Sequence, residues 1–130
     1  MKKITILVAT QSVQKDNFLN GISQDDLYIR YPESGKHPLE QRDLADELTK
    51  NYKDIENNII IDTFSDHILN RIRKLICDSI IDHNDIEVIY IYDNVLTKVT
   101  INRCGEYTKP FPKGFYNATL EDIYELKRDC

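Results

Sequence analysis

The sequence predicts an α/β fold with a short, mostly parallel sheet that is flanked by helices and carries an antiparallel hairpin at one edge. Short apolar runs rich in isoleucine, at residues 4–9, 59–61 and 87–92, alternate with segments whose apolar residues recur at helical spacing. Alternation of this kind is typical of parallel strands joined by right-handed helical crossovers. The last two strand-like runs are separated only by a short polar turn, which indicates a hairpin.

The predicted elements follow the order β-α-β-α-β-α-β-β-α. Strands are expected over residues 2–9, 27–31, 58–63, 87–92 and 97–102. Helices are expected over residues 12–21, 38–52, 66–80 and 120–128, with serine or threonine caps before several of them. The run at 59–61 is apolar throughout, so we expect a central strand that is covered on both faces.

Length and composition bound the function. A chain of 130 residues with 41% hydrophobic and 30% charged residues fits one globular domain, 1–130. A net charge of −5 argues against direct binding to nucleic acid or to anionic membranes. No segment is long enough to span a bilayer, and three scattered cysteines fit a reducing compartment, so we expect a cytoplasmic protein. No cofactor and no metal site are expected.

The stretch 28–41 is the most informative part of the chain. Pro32 ends a strand because it lacks an N–H group and holds the preceding residue extended. Gly35 permits a tight turn, and Pro38 suits the first turn of the helix that follows. This is a strand–loop–helix corner, and open α/β sheets place their sites at such corners.

The corner also carries a motif. Pro32, Glu33, His37 and Pro38 match, at the same spacing, a segment that is similar to the one following the Walker B strand of ATP-binding-cassette-type ATPases of the OLD-like and AAA-like class. Residues 59–72 resemble the family's switch strand and the helix after it, and residues 110–116 resemble its closing aromatic segment. The resemblance covers the C-terminal half of an ATPase head.

The resemblance also implies that catalysis is lost. The family's Walker B acid, which holds Mg²⁺, would fall at Arg30, and its catalytic glutamate would fall at Tyr31. Its switch histidine would fall at Phe64, and the chain contains no Gly-x-x-x-x-Gly-Lys-Ser/Thr motif to cradle phosphates. The expectation is an ATPase-derived fold that is not an enzyme.

We expect a recognition surface formed by the corner at 28–41, the loop after the third predicted strand and the start of the helix predicted at 66–80. The candidates are Glu33, Lys36, His37, Asp62, Asp66, His67 and Arg71. For His37 the simpler reading is a hydrogen bond to a backbone group that organises the loop. For Arg71 the simpler reading is a solvated helix face.

Three functions stay open. The first is a catalytically inactive regulatory protein that docks on an ATPase or its nuclease effector, as a decoy or inhibitor linked to phages or to anti-phage defence; a homodimer is also compatible. The second is a split ATPase subunit completed by a separate Walker A chain. The third is a small enzyme that uses Asp62, Asp66 and His67 as an acid–base cluster.

Overall fold

The structure, a computed structural model that describes residues 3–108, is a three-layer α/β arrangement around one five-stranded sheet. The strands are β1 (Ile4–Ala9), β2 (Leu27–Arg30), β3 (Ile59–Asp62), β4 (Ile86–Tyr92) and β5 (Val95–Val99). The helices are α1 (Val13–Asn20), α2 (Pro38–Thr49) and α3 (Asp66–Cys77). The predicted fold class is confirmed, whereas the predicted helix at 120–128 and the segment 110–116 lie outside the described residues.

The sheet has the order β2-β3-β1-β4-β5, and its first four strands are parallel. Strand β5 pairs antiparallel with β4, which is the predicted edge hairpin. Leu7 of β1 pairs with Asp62 of β3 on one side and with Ile89 of β4 on the other. All six residues of β1 and all four of β3 are buried, so the apolar run at 59–61 is the covered inner strand that the sequence predicts.

The two faces of the sheet are covered unequally. Helices α2 and α3 pack side by side on one face, over a cluster that includes Ile6, Ile61 and Val88. Helix α1 covers the other face through Phe18 and Leu19, which pack against a smaller buried cluster. Among helices α1, α2 and α3, α3 contributes the most to the core, because its buried residues recur at helical spacing; they are Ile68, Leu69, Ile72, Leu75 and Ile76.

Two helices end earlier than the sequence predicts. Helix α2 ends at Thr49 rather than 52, because Lys50 is already extended, with a ψ of 128°, and Asn51 then adopts the left-handed region with a φ of 57°. Helix α3 ends at Cys77 rather than 80, because Ser79 also has a positive φ, 63°. Ile80, the last residue of the predicted helix at 66–80, therefore lies beyond α3, and its side chain is 63% exposed.

Strand β5 of the hairpin begins two residues before its predicted start at residue 97. Asp93 and Asn94 both have positive φ angles, 52° and 60°, which is the geometry of a two-residue turn matched to the twist of the strands. Strand β5 therefore starts at Val95 and ends at Val99. Beyond it, Ile101 forms only an isolated bridge with Tyr107.

Candidate functional site

The strand connections diverge at one end of the sheet. Neighbouring strands β1 and β3 lead into α1 and α3, which lie on opposite faces, and open α/β sheets bind ligands where such connections diverge. We call this end the carboxyl edge; it comprises residues 10–13, 30–39, 63–67 and 92–96. Serine caps open both helices here, because Ser12 accepts from the N–H of Lys15 and Ser65 accepts from the N–H of Ile68.

A buried ion pair lies beneath the carboxyl edge. The ammonium Nζ of Lys15, from the first turn of α1, is 3.0 Å from Oδ2 of Asp62 at the end of β3. The two side chains are only 2% and 1% exposed. An isolated charge at such a depth is strongly unfavourable, so each ion depends on the other for its stability.

Two tyrosines complete the hydrogen bonding of this pair. The hydroxyl of Tyr28 donates to Oδ2 of Asp62 over 2.5 Å, and Lys15 Nζ donates to the hydroxyl of Tyr31 over 3.0 Å. Burial lowers the pKa of Lys15, but the hydrogen bonds to Tyr31 and Asp62 outweigh burial and leave that pKa raised. Burial, together with the bond to Asp62, raises the pKa of Tyr28 well above its ordinary value. The folded state therefore favours a charged lysine and a neutral Tyr28.

Above the pair, two aromatic rings form a stack. Tyr31 and Phe64 lie with ring centroids 5.7 Å apart and ring planes inclined by 14°. The guanidinium of Arg30 lies 5.1 Å from the Tyr31 ring centroid, within the range of a cation–π interaction. The prediction that Pro32 holds Tyr31 extended is wrong, because Tyr31 has a φ of 46°, which is rare for a bulky residue, and β2 ends at Arg30. The N–H of Tyr31 donates to the carbonyl of Asp62 over 2.7 Å. The backbone strain thus places the ring over Lys15 and beside Phe64.

Glu33 joins the corner to the loop after β3. Its Oε1 accepts from the hydroxyl of Thr63 over 2.6 Å, and its Oε2 accepts from the N–H of Phe64 over 3.0 Å. A second bridge links the same segments, since the hydroxyl of Ser65 donates to Oε1 of Gln41 over 2.5 Å. These contacts fix the aromatic stack relative to the sheet, so the carboxyl edge is preorganised rather than loose.

The predicted recognition residues divide into three groups. Lys36 and His37 are exposed on the corner, and His37 accepts from the N–H of Leu39 through Nδ1, which confirms the predicted loop-organising role. Asp66 and His67 are about half exposed on the first turn of α3, where Nε2 of His67 lies 3.8 Å from Oδ1 of Asp66. Asp62 is fully buried, so the prediction that it contributes to an exposed surface is wrong.

Arg71 lies away from the carboxyl edge. Its guanidinium binds both carboxylate oxygens of Asp46 on α2, at 2.7 Å and 3.0 Å. It lines a separate groove of about 600 Å³ together with Leu75 and Ile80. The structure therefore does not bring Arg71 together with the corner residues.

The acid–base cluster weighed from the sequence is not assembled. Asp62 bonds to Lys15 and Tyr28 rather than to His67. The hydroxyl of Ser65, the nearest candidate nucleophile in the sequence, donates to Gln41 and caps α3. Within the described range, no group of three or more His, Cys, Asp or Glu side chains lies close enough to hold a metal ion.

Sequence reasoning missed Lys15 and the tyrosines that surround it. A signal was present, because Lys15 precedes Phe18, Leu19 and Ile22 by three, four and seven residues and therefore lies on the apolar side of α1. A lysine at an apolar position, with an aspartate at the end of a buried strand, indicates an internal ion pair. The pairing itself depends on the strand order, which the spacing alone does not provide.

No helix within residues 3–108 is long and apolar enough to cross a membrane. Comparison with known proteins places the chain in no group, since no family model, no curated protein and no solved structure matches it.

Proposed function

We propose that this protein is a catalytically inactive, ATPase-like binding protein that docks through its carboxyl edge on an ATPase or on the nuclease effector of one. The observation that supports the proposal most strongly is the buried Lys15–Asp62 ion pair, which the stacked rings of Tyr31 and Phe64 cover. It occupies the place where an α/β fold of this topology holds its ligand.

The three positions at which the resemblance implies lost catalytic groups support the proposal. Arg30, Tyr31 and Phe64 are neighbours in space, as members of one former site would be. The guanidinium of Arg30 and the ring of Phe64 supply no oxygen ligand for Mg²⁺, and the hydroxyl of Tyr31 accepts a hydrogen bond from Lys15 over 3.0 Å. The side chains that replace the catalytic groups therefore pack against one another instead of acting on a nucleotide.

Lys15 provides a second line of support. A lysine in the first turn of the helix that follows a buried strand is the residue type that contacts phosphates in P-loop proteins. Here its ammonium is engaged by Asp62 at 3.0 Å and by Tyr31 at 3.0 Å. Binding a phosphate at this place would require breaking an ion pair that is buried on all sides, which costs several kcal/mol.

The same features suit a docking surface. The carboxyl edge presents Phe64 at 49% exposure on a support fixed by Glu33. Aromatic side chains held in one conformation lose little entropy on binding and are typical interface hot spots. Lys36 and His37 stand beside this platform and offer polar contacts at its rim.

The test is an affinity capture of the tagged protein from its native host, followed by mass spectrometry. A stoichiometric ATPase or nuclease that is lost with Phe64→Asp or Lys36→Glu, but retained with Lys53→Glu, is the expected result. Lys53 is a matched control because it is exposed at the opposite end of the sheet. Within the described residues, Lys36 forms hydrogen bonds only through its backbone N–H and C=O groups. Reversing the charge of its side chain therefore leaves the corner intact.

Nucleotide assays complete the test. The purified protein is expected neither to hydrolyse ATP nor to bind it with micromolar affinity. Hydrolysis by the protein alone would refute the proposal. Hydrolysis that needs both the protein and its captured partner, and that is lost with Lys15→Met, would favour a split ATPase subunit instead.

A further inference from the structure

Two exposed cysteines lie on neighbouring segments of the molecule. Cys77 is the last residue of α3, and Cys104 lies in the turn between Ile101 and Tyr107, which form the isolated bridge. Both cysteines are exposed and both are free thiols. Cysteine is among the residue types most often buried in proteins, so packing does not explain two exposed thiols on adjoining segments. Their chemistry is the more direct explanation.

The turn that carries Cys104 is pressed onto the end of α3. At Gly105, the next residue, an added Cβ would lie 2.4 Å from the carbonyl oxygen of Arg73 and 3.5 Å from the Cβ of Cys77. The Cα of Gly105 therefore lies within about 5 Å of the Cβ of Cys77, since a Cα–Cβ bond spans about 1.5 Å. Consecutive Cα atoms are about 3.8 Å apart, which places the Cα of Cys104 within about 9 Å of the same Cβ.

Hydrogen bonds keep the two segments together. Arg73 of α3 donates through Nε to the carbonyl of Gly105 over 2.7 Å. Within the turn, Oδ1 of Asn102 accepts from the N–H groups of Cys104 and Glu106 over 2.9 Å and 3.1 Å. None of these bonds uses a thiol, so they hold the cysteines near each other in the reduced protein. A disulfide joins Cα atoms about 4.4–6.8 Å apart, a separation that needs only a small shift of the exposed turn.

We propose that Cys77 and Cys104 are a redox-sensitive pair that closes to a disulfide when it meets a low-molecular-weight disulfide such as oxidised glutathione. The thiolate of one cysteine attacks a glutathione sulfur, the glutathione S–S bond breaks, and one glutathione thiol leaves. The second cysteine then attacks the protein sulfur of the mixed disulfide and releases the other glutathione. The protein loses two protons and two electrons, and oxidised glutathione takes them up as two thiols.

The disulfide fastens the segment after β5 to the end of α3. It closes a ring from residue 77 to residue 104 that contains β4 and β5, and such a cross-link stabilises a fold mainly by restricting the unfolded chain. Exposed disulfides are more easily reduced than buried structural ones, so reduced glutathione opens the ring again. In reducing compartments, disulfides of this kind are transient and sense oxidation. This inference does not rest on the proposed function, because neither cysteine belongs to the carboxyl edge.

The experiment is peptide mapping of the native full chain after incubation with oxidised glutathione, with the remaining thiols alkylated before digestion. The expected product links Cys77 to Cys104. The third cysteine, Cys130, lies outside the described residues and provides the control. Cys130→Ser should form the same link as the wild type, whereas Cys77→Ser should leave Cys104 as a glutathione adduct. Wild-type protein in which both cysteines stay alkylated, end as glutathione adducts or link to Cys130 instead would overturn the proposal.

Thermal unfolding tests the stabilisation. Oxidised Cys130→Ser should melt roughly 8–15 °C above its reduced form, and adding Cys77→Ser should abolish this difference. Equal melting temperatures in the two redox states of Cys130→Ser would also overturn the proposal.

Gly105→Ala tests the placement of the turn. The added methyl group meets the carbonyl oxygen of Arg73, so the turn must move away from α3 and the linked fraction at a fixed ratio of reduced to oxidised glutathione should fall. Gly35→Ala is the matched control, because it has a similar positive φ and open space around the added Cβ. If both variants link Cys77 to Cys104 as fully as the wild type does, the close approach of the turn does not position the pair and the reasoning is wrong.

Discussion

Replacement of Lys15 by methionine tests the energetic reasoning about the buried ion pair. Methionine fills a similar volume but removes the ammonium, which leaves the fully buried carboxylate of Asp62 with the hydroxyl of Tyr28 as its remaining side-chain partner. Breaking a buried pair by removing one member typically costs about 3–5 kcal/mol. Since a domain of this size unfolds with about 5–15 kcal/mol, the variant should lose a large fraction of its stability.

The assay is urea unfolding followed by circular dichroism at neutral pH. Lys15→Met should lower the midpoint without changing the slope, and should lower the melting temperature by roughly 10–20 °C. Lys74→Met provides the matched control, because it removes the same charge from a pair with Asp78 whose side chains are 60% and 42% exposed. That exposed pair should contribute less than about 1 kcal/mol.

The double variant Lys15→Met, Asp62→Asn isolates the interaction between the two groups. Because the double change leaves no unpaired charge, its cost should fall short of the sum of the single costs by about 2 kcal/mol or more. If Lys15→Met is no more destabilising than Lys74→Met, the pair stabilises nothing and the reasoning about the buried site is wrong.

Two further predictions concern pH and backbone conformation. The pKa of Lys15 is raised above 10.5, and burial raises that of Tyr52 to about 12, so in each case the folded state holds the proton more tightly than the unfolded state. The stabilisation from Tyr52 is therefore complete below about pH 10 and lost as the pH rises to about 12, and that from Lys15 is complete below its ordinary pKa of 10.5 and lost at higher pH. A urea midpoint that stayed constant from about pH 10 to 12 would contradict the prediction. Gly35 and Gly105 have similar positive φ angles, 73° and 78°, but an added Cβ meets nothing within 4 Å at Gly35, whereas at Gly105 it lies 2.4 Å from the carbonyl oxygen of Arg73. Alanine should cost about 1 kcal/mol at Gly35 and clearly more at Gly105, and equal losses in urea unfolding would show that the close approach is relieved without cost.

The layered arrangement could be predicted from periodicity because each element shows its own pattern. The buried strands β1 and β3 read as continuous apolar runs, and α3 carries an apolar stripe at helical spacing. The predicted ends of α2 and α3 are wrong by three residues each. Asn51 and Ser79 adopt positive φ angles just after these helices, and neither is the glycine that usually occupies such a position.

The candidate site was harder to predict. Glu33 and His37 could be predicted because they belong to a local motif, and His37 bonds to the N–H of Leu39 two residues further on. The motif does not show that Glu33 bonds to Thr63, which lies 30 residues away in the chain. The sequence indicates Asp62 as a site residue but not its burial, because its partner Lys15 lies 47 residues away in the chain. Contacts across a parallel sheet depend on which strands become neighbours, and hydrophobic patterning does not encode that order.

The central position of β1 has a consequence for how the chain folds. Its parallel partners β3 and β4 both come far later in the sequence, and no hairpin can connect parallel strands. Among residues 3–108, the only pairing of two strands that are adjacent in sequence is the β4–β5 hairpin, which a two-residue turn closes within microseconds. During synthesis, β1 therefore leaves the ribosome before either neighbour exists and stays an unpaired apolar segment until β3 is made. High contact order of this kind predicts slow folding, with the late joining of β1 as the step that completes the sheet.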